Sequence, residues 1–125
     1  MKYLLMIYAN AETWAAFTPE EQAAGIAAQD AFNTEFFGTG ELLGAMGLAD
    51  AAAAKVVRVR AGIPAVTDGP YLETKEHLAS YCLVDVASEQ RALELAERMP
   101  FAAAGGVEVW PVAHEASPPP AAPAG

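Results

Sequence analysis

One short segment of the chain concentrates the side chains that could carry out proton transfer. Residues 68–76 read DGPYLETKE, and a histidine follows directly at position 77. Carboxylates and imidazole often act as general acids and bases, and a carboxylate in an apolar cleft has its pKa raised towards neutrality. Asp68, Glu73 and His77 are therefore the candidate catalytic residues. They can reach one small molecule only if the loop folds back on itself.

The same segment also has the composition of an ordinary turn. Asp68 can accept hydrogen bonds from backbone N–H groups, Gly69 permits a positive φ, and Pro70 fixes the exit of the chain. On this interpretation the charged residues that follow form a solvated loop, and His77 is an exposed or hydrogen-bonded side chain. An Asp68→Ala variant distinguishes the two. Loss of ligand binding with intact folding indicates a functional loop, whereas a loss of only about 1–2 kcal/mol of stability indicates a turn.

Aromatic residues and one lysine are the candidates for ligand binding. The lysine could hold an anion or offset the charge of the neighbouring carboxylates. Aromatic rings line pockets and fill cores alike, so burial in the core or beneath a partner subunit is the alternative interpretation. The candidate ligand-binding residues are Tyr8, Trp14, Tyr71, Lys75 and Tyr81.

The remaining residues imply no metal site and no cofactor. The two histidines, His77 and His114, lie far apart, and the chain lacks HxxxH and CxxC spacings. The single cysteine, Cys82, lies in an apolar strand and is predicted to be a small core residue. The chain also lacks a P-loop, a GxGxxG fingerprint and a Ser–His–Asp signature.

Composition and charge exclude several classes of protein. The 125 residues suit one domain, and a hydrophobic fraction of 54% rules out global disorder. A net charge of -9 argues against nucleic acid and anionic membrane surfaces as partners. One cysteine allows no disulfide within the chain, which makes the cytoplasm the default location. The apolar start, residues 2–8, is too short for a secretory leader, and no stretch approaches the roughly 20 apolar residues of a membrane-spanning helix.

Hydrophobic periodicity predicts two helices among several strands. The first helix starts at Thr18-Pro19, with Glu21 completing a capping box, and a stripe at Ala24, Ala28, Phe32 and Phe36 is expected to be buried. The second helix is capped by Ser88 and ends by Pro100, with apolar side chains at Leu95 and Met99. The predicted strands are Lys2–Tyr8, Glu41–Met46, Lys55–Arg60, Ile63–Thr67, Leu78–Val86 and Val107–Val112.

This order of elements predicts an α+β, ferredoxin-like two-layer sandwich, in which two helices cover one face of an antiparallel sheet. The first strand is apolar on both faces, with Tyr3, Leu5 and Ile7 on one and Leu4, Met6 and Tyr8 on the other. The helices can cover only one of these faces. We therefore expect a homodimer that packs sheet to sheet.

The segment at residues 68–76 resembles the DGPF motif of the YCII-related (DGPF-domain) family, whose members typically read D-G-P-F-x-E-T-K-E. Tyr71 replaces the phenylalanine of that motif. The resemblance implies a ferredoxin-like fold that pairs as a dimeric α/β barrel. Some relatives carry a His–Asp pair with the histidine on the first helix, but here that helix, Pro19 to Phe37, holds no histidine. The resemblance also extends to 2–8, 57–60, 80–86 and 107–112.

The domain is predicted to span residues 1–113, followed by a disordered Pro/Ala-rich tail at 114–125. The family resemblance leads us to expect a small-molecule-binding cytoplasmic homodimer, its cleft rimmed by the DGPYLETKE loop, with acid–base catalysis as a further expectation. The alternative is a non-catalytic sensing or regulatory protein. Because some DGPF proteins are linked with extracytoplasmic-function sigma factors, such a protein would have a sigma factor as its partner.

Overall fold

The computed structural model describes residues 1–71 and 75–120, which contain six strands and three helices. The strands are β1 (Lys2–Ala9), β2 (Leu42–Gly47), β3 (Lys55–Arg60), β4 (Ile63–Asp68), β5 (His77–Asp85) and β6 (Val107–Pro111). The helices are α1 (Ala11–Ala16), α2 (Pro19–Thr39) and α3 (Glu89–Arg98). Short 3₁₀ turns at Ala51–Ala53 and Pro100–Ala102 complete the description.

The main sheet has four antiparallel strands in the order β2-β5-β1-β6. With α2 between β1 and β2, and α3 between β5 and β6, this is the ferredoxin-like α+β arrangement that the sequence predicts. Strands β3 and β4 form a separate two-stranded hairpin inserted between β2 and β5. The hairpin turns at Ala61 and Gly62, which both have positive φ.

Both long helices begin where the sequence places their caps. The Thr18 hydroxyl accepts a hydrogen bond from the Glu21 N–H at 3.1 Å, and the Glu21 carboxylate accepts one from the Thr18 N–H. The Ser88 hydroxyl accepts a hydrogen bond from the Arg91 N–H at 3.2 Å. Helix α2 ends at Gly40, whose φ of 81° suits a glycine. Helix α1, capped by Asn10, was not predicted.

The core lies between the helices and one face of the sheet, as predicted. That face carries Tyr3, Leu5 and Ile7 from β1 and Cys82 and Val84 from β5, all buried. The helices supply Phe32 and Phe36 from α2 and Ala92, Leu95, Ala96 and Met99 from the region of α3.

The predicted buried stripe of α2 is correct at its C-terminal half and wrong at its N-terminal half. Phe32 and Phe36 are buried, but Ala24 and Ala28 are exposed. The half-buried positions earlier in the helix include Gln22 and Gln29, so the inner face there carries polar side chains. A cavity borders the middle of α2, where Ile26, Gln29 and Asn33 are among its lining residues.

The opposite face of the sheet is left without a helix. Cross-strand pairs Leu4 with Leu83 and Met6 with Tyr81 lie on this face and are half-buried. Trp110, which pairs with Leu4, is 55% exposed. We call this surface the open sheet face. It has the apolar character that the sequence predicts for the second face of β1.

Within residues 1–71 and 75–120, no helix combines the length and the apolar composition needed to cross a lipid bilayer. The chain continues after β6 without regular secondary structure as far as residue 120. In that stretch Glu115 forms an ion pair with Lys2. The predicted division into a domain at 1–113 and a tail at 114–125 stays a prediction.

Candidate functional site

Two cavities meet at the start of β5. The first, here called the hairpin cavity, has a volume of about 690 Å³ and is lined by residues that include Tyr8, Lys55, Tyr71, Glu76 and His77. The second, here called the helix cavity, has a volume of about 820 Å³ and lies between α2 and the sheet. Its lining includes Trp14, Gln29, Asn33, Lys75, His77 and Ser80.

His77 lines both cavities, so it is the predicted site residue in the most favourable position. It is the first residue of β5, pairs with Ala9 and is half-buried. The pairing of β1 with β5 shifts by one residue between Ile7 and Tyr8, which leaves Ala79 as an extra residue on β5. This bulge reverses the alternation of β5 and sets His77 on the side of the sheet that carries Ile7.

Asp68 lies outside the linings of both cavities. Its side chain is 83% exposed and forms an ion pair with Lys55, its cross-strand neighbour at the base of the hairpin. The next residue, Gly69, has a φ of 91° and donates its N–H to the Ala54 carbonyl at 2.8 Å. The geometry therefore matches the turn interpretation of Asp68-Gly69-Pro70.

The described residues that follow Gly69 in the DGPYLETKE segment are divided between the two cavities. Tyr71 is 72% exposed, lines the hairpin cavity and has the Arg58 guanidinium 5.4 Å from its ring centroid. Lys75 is exposed and lines the helix cavity. The candidate catalytic Glu73 lies outside the described residues. Of the two candidate carboxylates the structure therefore describes only Asp68, which lies outside the linings of both cavities.

The three remaining aromatic candidates all line a cavity. Tyr8 faces the hairpin cavity, and Trp14 faces the helix cavity with its ring 6.3 Å from that of Phe101. Tyr81, on the inner strand β5, is among the lining residues of the helix cavity, but its side chain lies beside Met6 on the opposite face of the sheet and donates its hydroxyl to the Met46 sulfur at 3.0 Å. Trp14 is carried by α1, which caps the end of the helix cavity near Asn10.

Two amide side chains on α2 were missed by reasoning from motifs. Gln29 donates its side-chain amide N–H to the side-chain carbonyl oxygen (Oδ1) of Asn33 at 2.9 Å. Asn33 lies one helical turn further on, and both residues line the helix cavity. The Gln29 Oε1 atom is buried and has no hydrogen-bond partner within residues 1–71 and 75–120. The signal in the sequence is the spacing of Gln22, Gln29 and Asn33, which places polar side chains on one face with Phe32 and Phe36.

The helix cavity has mainly apolar walls, and its lining also includes the charged residues Glu12, Asp30, Asp50 and Lys75. Cys82 contributes a buried thiol, and burial raises the pKa of that thiol to about 11, so it stays protonated near neutral pH. Ser80 pairs with Ile7 and adds a hydroxyl on the same side of the sheet. Within the described ranges no group of three or more His, Cys, Asp or Glu side chains is placed to hold a metal ion.

A cluster of charged residues away from the cavities holds α3 against the start of β2. The Arg91 guanidinium donates to both carboxylate oxygens of Glu41, at 2.8 and 2.9 Å. This hydrogen bonding lowers the pKa of Glu41, and partial desolvation opposes the effect. Arg91 also lies 5.8 Å from the centroid of the Phe36 ring. The arrangement fixes α3 against the start of β2 and is structural.

Comparison with known proteins gives a consistent result. The family model of the YCII-related domain matches residues 1–115. An uncharacterized protein of Rhizobium meliloti (strain 1021) is 32% identical over 115 residues, a match that covers 90% of this chain and 93% of the relative.

Proposed function

The chain belongs to the YCII-related domain family, and we propose that it is a cytoplasmic homodimer that binds a small organic molecule in the helix cavity. The observation that carries the proposal is the buried, unpartnered Gln29 carbonyl oxygen beside that cavity. A buried acceptor left without a donor costs about 1–3 kcal/mol, so the site favours a molecule that supplies an N–H or O–H group.

The shape and chemistry of the helix cavity support this proposal. Ligand cavities in proteins usually measure about 300–1,000 Å³ and combine apolar walls with a few polar groups. The helix cavity, at about 820 Å³, lies within this range. Trp14 and Phe101 offer aromatic surface to the body of a ligand, and the Gln29–Asn33 pair offers directed hydrogen bonding. The ligand class is therefore a compact, partly apolar molecule with a hydrogen-bond donor.

Binding can be tested with two probes that differ in one donor. Phenol carries an O–H group and toluene does not. We expect millimolar phenol to shift the NMR signals of the Gln29 and Asn33 side-chain amides more than toluene does. The difference at the Asn33 amide should disappear in a Gln29→Met variant. Equal shifts for both probes, or none, would contradict the proposed recognition.

We further propose that His77 acts as a general base or acid at the boundary of the two cavities. Its imidazole can accept or donate a proton, and it lines both spaces. Asp68 is assigned to the turn because its carboxylate is exposed and paired with Lys55. Glu73 is given no role here, since it lies outside the described residues.

The base can be tested with 5-nitrobenzisoxazole, an apolar probe that needs only proton removal. A base takes the ring C–H proton, the N–O bond breaks, and the electron pair is left on the oxygen of a coloured cyanonitrophenolate. We expect the protein to accelerate this elimination and a His77→Ala variant to lose at least about tenfold of the rate. His114→Ala is the matched control and should keep the rate. Equal rates for the protein and His77→Ala would exclude the role.

A non-catalytic sensor remains the second candidate, and one observation favours it. The candidate catalytic residue Asp68 faces solvent and lies outside the linings of both cavities. Such a sensor would bind phenol without accelerating the elimination, and a sigma factor is the partner that the family resemblance implies. The two assays above separate this candidate from the catalytic one.

The open sheet face supports the proposed homodimer. Half-buried Leu4, Met6, Tyr81 and Leu83 lie there with the exposed Trp110. Large apolar patches are uncommon on monomers, and a two-fold axis would let one such patch cover another.

A further inference from the structure

The hairpin β3–β4, residues Lys55–Asp68, stands apart from the rest of the fold. We call it the arm. Its strands pair with each other and with no other strand of the described chain. Thirteen of its fourteen residues are exposed, the exception being Val56. Isolated two-stranded hairpins are marginally stable in water, and further packing is needed to make one stable.

One face of the arm is apolar. Directly opposed residues share a face, and the pairs Val57 with Val66 and Val59 with Pro64 therefore lie together. The three valines of this set are 62–65% exposed. We call these four residues the apolar arm face. It is interrupted only at the base of the arm, where Lys55 pairs with Asp68.

The charge of the arm is opposite to that of the rest of the chain. The arm contains three of the seven basic residues, Lys55, Arg58 and Arg60, and one of the sixteen acidic residues, Asp68. Its net charge is therefore +2, and the remaining residues, with four basic and fifteen acidic side chains, carry -11. Two such acidic bodies repel each other when they approach, and a basic arm placed between them reduces that repulsion.

We propose that the arm of each protomer packs its apolar face on the open sheet face of a second copy of the chain, beside the area where the two sheets face each other. Both surfaces are apolar; the apolar arm face is exposed, the open sheet face is half-buried apart from the exposed Trp110, and a two-fold axis would cover both pairs at once. Glu108 lies on the open sheet face beside Trp110, which donates its indole N–H to it at 2.7 Å. Arg58 and Arg60 pair with Ala65 and Ile63 on the other face of the arm, so their charge acts on the acidic bodies at longer range and not through a direct contact with Glu108. The inference rests on the homodimer proposed above and adds the arm to its interface.

Sedimentation of charge-inserting variants tests the role of the arm. Val59→Glu/Val66→Glu changes only exposed side chains of the arm. We expect it to raise the dimer dissociation constant by at least about tenfold, equivalent to about 1.4 kcal/mol. Phe37→Glu, at an equally apolar position that is 50% exposed on α2, is the matched control and should leave the constant unchanged. Trp110→Glu should weaken the dimer as well.

The outcomes separate the arm from the dimer itself. If Trp110→Glu dissociates the dimer and the arm variant does not, the arm inference is wrong and the sheet-to-sheet dimer stands. If the unaltered protein sediments as a monomer at tens of micromolar, both are wrong. Circular dichroism of each variant shows whether it has folded.

A photo-crosslink gives a second measurement that leaves the arm's charge unchanged. Benzoylphenylalanine is placed at Val59, and light and ¹⁵N-labelled protein are mixed before irradiation. We expect crosslinked peptides that join one light and one heavy chain and that map to β1, β5 or β6. Crosslinks confined to a single chain, or an absence of crosslinks in the purified protein, would show that the arm does not reach a second copy.

Discussion

Replacing Gln29 by methionine is predicted to stabilise the protein in the absence of a ligand. Methionine has nearly the shape of glutamine and removes the buried Oε1 atom that lacks a partner. Removing such an unsatisfied acceptor recovers about 1–3 kcal/mol, whereas losing the hydrogen bond to Asn33 costs about 0.5–1.5 kcal/mol. The net change is a gain of about 1 kcal/mol in the free energy of unfolding. For a domain of this size that corresponds to a rise of about 4 °C in Tm.

A matched control lies two turns earlier on the same face of α2. Gln22 donates its side-chain amide to the Trp14 carbonyl at 2.9 Å, which ties α2 to α1. The same substitution, Gln22→Met, should lower the free energy of unfolding by about 1 kcal/mol because it removes a satisfied hydrogen bond. The two variants therefore differ in sign although the chemical change is identical.

Urea denaturation and calorimetry measure both changes. If Gln29→Met lowers stability as Gln22→Met does, the Gln29 carbonyl is already satisfied in solution, and the argument for a ligand donor at this position fails. The phenol titration tests the same atom for ligand binding. If Gln29→Met is more stable and no longer distinguishes phenol from toluene, the Gln29 carbonyl oxygen lowers stability and serves recognition.

Three further predictions follow from the core and from the shifted pKa values. Phe36→Ala should lower the free energy of unfolding by about 3–5 kcal/mol in urea denaturation, because Phe36 is 2% exposed and packs 4.8 Å from the Phe32 ring centroid; a loss below 1 kcal/mol would contradict its place in the core. The lowered pKa of Glu41 means that its contact with Arg91 contributes stability above the ordinary carboxyl value of 4.5 and loses it as the pH falls through the folded pKa. The Tm of the protein should therefore fall more steeply below pH 4.5 than that of Glu41→Gln, and parallel curves would argue against the contact. Cys82, buried and with a pKa of about 11, should resist thiol reagents at pH 8 until the protein unfolds, and rapid labelling of the folded protein would show that the helix cavity admits the reagent to the thiol.

The layered fold could be predicted because its elements carry strong local signals. The alternation of β1 predicts that Leu5 and Leu4 lie on opposite faces, and in the structure Leu5 is in the core and Leu4 is on the open sheet face. Thr18 and Ser88 mark the helix starts because a hydroxyl there accepts a hydrogen bond from a backbone N–H group that has no partner within the helix. These signals are local, so one sequence suffices to read them.

The inner face of α2 could not be predicted in the same way. Between positions 23 and 31 the helix is rich in alanine, which gives little contrast between a buried and an exposed face. The stripe through Ala24 and Ala28 assumed an apolar inner surface. The structure instead turns Gln29 inward, over a cavity rather than a packed core.

The candidate site was predicted in part, for a related reason. The motif that begins at Asp68 includes a turn, and turn residues such as Gly69 and Pro70 are recognisable because of their backbone conformations. His77, Tyr8 and Trp14 were chosen by residue type, and each lines a cavity. The Gln29–Asn33 pair belongs to no motif. Its importance depends on the unpaired oxygen, which becomes visible only when the sheet and the helix are both in place.

The extra residue at Ala79 determines on which face of the sheet His77 lies. Side chains alternate between the two faces of the sheet along β5, and the unpaired residue Ala79 shifts this alternation by one position. His77 lies on the same face as Ile7 only because of that shift. Changes of loop length upstream of His77 leave that alternation untouched. An insertion or deletion between Ala79 and the sheet centre would instead turn the imidazole from one layer of the molecule to the other. Variation in length in this family should therefore be concentrated ahead of His77 and be rare within the four residues that follow it.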